Sequence, residues 1–133
     1  LIRHIEKYGH RCIGAYDIEP LDESIAKADC FTLDSELRGA DYIITNPPWS
    51  RPSLHSMIEI FAHYSPTWLW FDADWMHTTQ AAPYIQFCSK IVSVGRIKWI
   101  EGSTMSGKDN CCWYLFENKK TETVFFHRKE KSS

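Results

Sequence analysis

The sequence predicts an α/β domain: a mainly parallel sheet with an antiparallel C-terminal hairpin. Three observations predict it. The chain has 133 residues, 44% of them hydrophobic and 24% charged, the balance of one globular domain able to bury about two-thirds of its unfolded surface. In its first two-thirds, short apolar runs alternate with helical stretches, as in βα units. Beyond Cys88, β-rich runs are separated by turn-rich segments, Gly102–Asn110 and Asn118–Lys120, which read as hairpins and give the sheet an antiparallel edge.

The elements follow in order. Gly9 terminates a first helix, and Cys12–Tyr16 is a short strand. Leu21–Ala26 makes a helical turn or two, and Tyr42–Thr45 is a compact apolar strand. Pro52 suits the first turn of a helix running to about His63, because its missing N–H would have no intrahelical partner there. Thr67–Phe71 is a bulky strand in which Trp68, Trp70 and Phe71 read as core. Thr78–Cys88 reads as a helix kinked at Pro83. Ile91–Ile100, Cys111–Glu117 and Thr123–His127 read as strands. Residues 1–127 form one domain and residues 128–133 a charged tail.

Charge and cysteine usage narrow the function classes. Fifteen Lys and Arg against seventeen Asp and Glu give a net charge of −2, without the basic footprint of a self-sufficient nucleic-acid binder. No apolar run approaches the roughly 18 residues of a membrane span. The opening Leu1-Ile2-Arg3-His4-Ile5-Glu6-Lys7 is too charged for a signal peptide. The expectation is a cytoplasmic protein with no membrane partner. Cys12, Cys30, Cys88, Cys111 and Cys112 are odd in number and form no C-x-x-C pair, so they read as reduced thiols packed as small hydrophobes, with no metal site. Asp72, Asp74 and His77 lie just past a strand, on the ligand-binding edge; capping and loop roles suit them better than metal ligation.

The segment that carries chemistry is Asp41-Tyr42-Ile43-Ile44-Thr45-Asn46-Pro47-Pro48-Trp49. A buried strand ends in an amide, two prolines and an aromatic, at the end where open α/β sheets bind ligands. The prolines stiffen the loop. The Asn46 side-chain oxygen and the Pro47 carbonyl can then converge as acceptors on an amino group and direct its lone pair at an electrophile. Trp49 offers a flat face for a planar ring. A rigid strand-to-helix turn with a packed tryptophan is the bland alternative.

These residues resemble the S-adenosylmethionine-dependent methyltransferases that modify exocyclic amino groups, whose catalytic motif reads Asn/Asp-Pro-Pro-aromatic; Asn46, Pro47, Pro48 and Trp49 match it. Gly14-Ala15-Tyr16-Asp17-Ile18-Glu19-Pro20 is similar to the family's second motif, which implies that Asp17 binds the cofactor's ribose hydroxyls. Ala28-Asp29-Cys30-Phe31 is similar to the third, which implies that Asp29 contacts the adenine amino group and offers Phe31 for stacking, although Cys30 intervenes. The resemblance runs from about Cys12 to Glu117. It implies a Rossmann-like methyltransferase sheet whose first strand and glycine loop are missing, because that loop belongs about 20 residues before the ribose carboxylate and only sixteen residues precede Asp17. The chain then reads as a fragment, or its sheet rearranges, or a partner such as a second copy fills the slot.

The implied activity is methyl transfer from S-adenosylmethionine to an exocyclic amino group, foremost adenine in DNA, with the base flipped onto Trp49. A protein glutamine or an RNA base is the alternative acceptor. The rival from another class is a non-catalytic remnant serving as an interaction module. In the resembling enzymes the loop matching Gly102–Asn110 can approach the target base.

Overall fold

The computed structural model describes residues 16–17, 26–27, 40–47, 50–96 and 110–128. The chain divides into two compact units, Leu1–Ala40 and Asp41–Ser133. In the first, β1 (Tyr16–Asp17) pairs in parallel with β2 (Ala26–Lys27), Tyr16 opposite Ala26. Ala26, expected to close a helical turn, therefore opens a strand. The apolar run there is too short for periodicity to separate helix from strand. The expected helix before Gly9, residues 12–15, Asp29, Cys30 and Phe31 lie outside the described residues.

The second unit holds a five-stranded mixed sheet. Its strands are β3 (Ile43–Thr45), β4 (Thr67–Asp72), β5 (Cys88–Gly95), β6 (Cys111–Phe116) and β7 (Val124–Phe126), in spatial order β3-β4-β6-β5-β7. β3 pairs with β4 in parallel, β6 is antiparallel to both its neighbours β4 and β5, and β7 is parallel to β5. Four strands thus run one way and β6 the other.

The expected hairpin is present as β5–β6, but the antiparallel strand is not at the edge. Cys111–Phe116 is buried at five of its six positions, so this nearly continuous apolar run gains most between two neighbours that satisfy both of its backbone edges. The edge falls to β7, whose three residues are all exposed.

Between β3 and β4 runs α1 (Arg51–Tyr64), close to the expected span, with Pro52 in its first turn. Its buried residues Leu54, Met57, Ile58, Phe61 and Ala62 follow the three- and four-residue spacing of one helix face. The helix stops where Ser65 turns extended, its N–H still donating to the Phe61 carbonyl at 3.0 Å, just before Pro66, which cannot continue it.

Leu54, Ile58 and Ala62 meet Leu69, Phe71, Tyr114 and Phe116 in one core. In β4 the period-two alternation buries Thr67, Leu69 and Phe71 and leaves Trp68 and Trp70 half-buried on the other face. Phe71 is core as expected. Trp70 instead stacks across the strand pair on Trp113, ring centroids 5.8 Å apart, a cross-strand contact of the kind that stabilises sheets by about 0.2–1 kcal/mol.

The expected Thr78–Cys88 helix breaks into a 3-10 turn (Thr79–Ala81) and a single α-turn, α2 (Ala82–Ile85), and Cys88 opens β5. Pro83 supplies no N–H for a longer helix, and the Cys88 carbonyl is drawn away to the Thr123 hydroxyl at 2.7 Å. Cys88, Cys111 and Cys112 are buried. Burial pushes the Cys88 thiol up to about 12, so it packs as a neutral hydrophobe. Among the described residues no helix is long and apolar enough to cross a membrane.

Candidate functional site

Because β3, β4, β5 and β7 share a direction, their carboxyl ends and the amino end of β6 meet at one edge of the sheet. Asn46 and Pro47 directly follow β3 at that edge. Asn46 is exposed and Pro47 is buried. A buried proline ring anchors the turn and leaves the preceding amide reachable from solvent, and the chain then enters α1 within a few residues. Pro48 and Trp49 lie outside the described residues. Asp17 is the last residue of β1, in the other compact unit.

The same edge carries a polar cluster at the end of β4. Arg51, the first residue of α1, donates to the Asp72 carboxylate at 2.9 Å, with both side chains partly buried. The second Asp72 oxygen accepts from the Asp74 backbone N–H at 2.8 Å and caps the 3-10 helix Ala73–His77. Asp72 therefore does the capping expected of this D-x-D-x-x-H segment and also ties the start of α1 to the end of β4. Its backbone carbonyl accepts from the Tyr114 hydroxyl at 2.8 Å. Burial holds that phenol protonated far above its ordinary range, so it acts as a fixed donor. Among the described residues no group of three or more His, Cys, Asp or Glu is arranged to hold a metal ion.

Sequence reasoning did not find a neighbouring trio. The Trp75 indole N–H donates to His55 Nε2 at 3.1 Å. The His55 ring stacks on Tyr84, centroids 4.4 Å apart, and the Tyr84 hydroxyl donates to Glu59 at 3.2 Å. Arg51, His55 and Glu59 are four residues apart along α1 and so share a face, but nothing local in the sequence announces Trp75 and Tyr84 as their partners.

Burial lowers the His55 pKa, with the Arg51 charge adding to the effect and Glu59 opposing it. A lowered folded-state value means that the unfolded chain, near 6.5, takes up the proton first. The stabilisation from neutral His55 is thus complete above about pH 6.5 and is lost as pH falls through the folded value. An imidazolium also cannot accept from Trp75. The urea midpoint of the wild type is expected to drop more steeply between pH 7 and 5 (roughly the window around that reference value) than that of His55→Gln, whose amide oxygen accepts at either pH. Parallel slopes in the two proteins would remove His55 as the titrating group.

No protein-family model, curated protein or solved structure matches this chain. Its site is therefore described by its own residues.

Proposed function

We propose that the chain is the catalytic part of a Rossmann-like, S-adenosylmethionine-dependent methyltransferase acting on an exocyclic amino group, foremost that of adenine in DNA. The observation that carries this reading is the exposed Asn46, followed by a buried Pro47, at the carboxyl end of a parallel strand, where α/β sheets bind their ligands.

The chemistry follows from the acceptors. The amide oxygen of Asn46 and the carbonyl of Pro47 each accept one N–H of the target amino group. An amino nitrogen held by two acceptors keeps its lone pair free and aimed away from them. That orientation makes the nitrogen nucleophilic in one direction without a charged base. The cofactor would supply an electrophilic sulfonium methyl and depart as the neutral thioether, and the methylated amino group would give its surplus proton to water.

Asp17 is the residue that would hold that cofactor's ribose hydroxyls. Asp17 ends β1, a strand in a parallel pair, and a carboxylate has only acceptors to offer, matched to a diol's two O–H donors. The resemblance further assigns the adenine end to Asp29 and Phe31 and the target ring to Trp49. No metal takes part in this scheme.

The test is transfer of a labelled methyl group from S-adenosylmethionine to DNA, RNA and protein acceptors offered in parallel. Label in the adenine amino group of DNA is the expected result. Label in protein glutamine or an RNA base would keep the chemistry and change the acceptor. No label in any acceptor would make the chain a non-catalytic interaction module.

A further inference from the structure

Between the 3-10 helix that follows β4 and the end of β7 lies a cleft of about 600 Å³, the size of a small-ligand site. The methyl-transfer scheme makes no use of it. Its lining includes Gly95 at the end of β5, Met76 and His77 from the segment after β4, and Phe125 and Arg128 from the β7 end. All of these groups stand on the same sheet edge as Asn46. With strands about 4.8 Å apart, β7 is four spacings, roughly 19 Å, from β3.

Three features give the cleft a chemical preference. The first is Arg128, which the sequence assigns to the tail. Its guanidinium lies directly over Gly95, so close that a Cβ on residue 95 would stand 2.5 Å from Nη1. Gly95 also has a φ of +84°, after a register shift in β5, so glycine serves both the bulge and the approach of the cation. Among the described residues the ion pair is Arg51–Asp72, and Arg128 is not part of it.

The second feature is the ring of Phe125, 55% exposed on the edge strand. It lines the same cleft, as Met76 does.

The third is the remaining polar lining. His77 and Asn110 add N–H groups, against one acid, Asp74. The His127 ring Nδ1 lies 2.9 Å from the Arg128 carbonyl. A carbonyl only accepts, so Nδ1 carries the proton, and Nε2 of the neutral ring is an acceptor that suits a base N–H and not a phosphate oxygen.

A guanidinium fork matches a phosphate, and an exposed aromatic beside it stacks a base; together they are the pairing used to hold single nucleotides of a strand. We infer that this cleft binds one nucleotide unit of the nucleic-acid acceptor, with Arg128 on its phosphate and Phe125 against its base. The inference rests on the reading that the acceptor is nucleic acid. It also accounts for how a chain of net charge −2 grips a polyanion: through one local seat rather than a basic face.

The experiment is calorimetric titration of the 133-residue chain with deoxyadenosine 5′-monophosphate, deoxyadenosine, inorganic phosphate and a six-residue single-stranded oligodeoxyadenylate. The expected result is that the monophosphate binds at least tenfold tighter than the nucleoside. Arg128→Gln should abolish that difference, and Phe125→Leu should weaken monophosphate and nucleoside alike while leaving the ratio intact. Both positions are exposed, so neither change threatens the fold. Equal binding of nucleotide and nucleoside by the wild type, an undiminished ratio in Arg128→Gln, or no heat with any ligand would overturn the inference. Inorganic phosphate binding as tightly as the nucleotide would overturn the base contact. An oligonucleotide binding no tighter than the monophosphate would overturn the assignment to a strand. Methyl transfer is read separately. Loss of phosphate discrimination with transfer intact sinks only the cleft, whereas intact discrimination with no transfer to any acceptor sinks only the enzyme.

Discussion

Trp75→Ala is expected to lower the unfolding free energy of the sheet unit by about 3–5 kcal/mol, the usual cost of truncating a buried tryptophan. Trp75 is fully buried although it stands in a 3-10 helix outside the sheet. Its indole meets Phe71 edge-on at 5.2 Å, Tyr114 at 5.3 Å and Phe116 at 5.8 Å, the tilted geometry that aromatic pairs prefer. Removing it opens a cavity among three rings and also leaves the His55 acceptor without its donor. Since a whole domain is stable by only about 5–15 kcal/mol, the loss approaches the total. Urea denaturation checks it: the midpoint should fall sharply while the slope stays constant. Trp75→Phe should retain most of the packing and cost less, the difference reporting the indole N–H and the smaller ring. A cost for Trp75→Ala below about 1 kcal/mol, the level of an ordinary surface change, would show that the aromatic cluster does not hold this edge together.

Asn46→Ala is expected to lower methyl transfer by about a hundredfold or more, the scale on which losing one fixed hydrogen-bond partner slows a reaction. Stability should change by no more than about 0.5 kcal/mol, because the side chain is exposed. Asn46→Asp is the informative companion. It keeps an acceptor and the side-chain length, so it should retain far more activity than the alanine variant. Methyl-transfer rates under saturating cofactor, measured beside thermal unfolding of the same samples, separate a lost acceptor from a lost fold. Unchanged turnover in Asn46→Ala would remove Asn46 from the chemistry.

Much of the sheet unit was legible because its signals are local. Pro52 and the spacing of Leu54, Ile58 and Ala62 give α1 to within about a residue at each end. The bulky apolar run gives β4 and the dense apolar run gives β6, whereas the alternation that puts Trp68 and Trp70 outside the core appears only in the fold. The errors arose where local signals compete. Thr78–Cys88 has helical composition, yet Pro83 limits it to one α-turn and β6 recruits Cys88 into a ladder opposite Phe116. The candidate site was half legible in the same sense. Asn46 and Pro47 fall at the end of a parallel strand, as the motif requires. The His55–Trp75–Tyr84 trio and the seat of Arg128 over Gly95 join segments far apart in sequence, and no local pattern encodes them.

What the sequence determined by itself is the set of elements whose local signals agree over a few residues: the Pro52 start of α1, the bulky β4, the apolar β6, and the stiff Asn46–Pro47 turn. What only the tertiary structure decided is how those elements share an edge. Strand order depends on which hydrogen-bonding edges find partners and on which faces α1 covers, a competition among distant segments. That competition put β6 between β4 and β5 and left β7 outside. It thereby brought the ends of β3, β4, β5 and β7 to one rim, where Arg128 closes over a glycine that sits more than thirty residues before it.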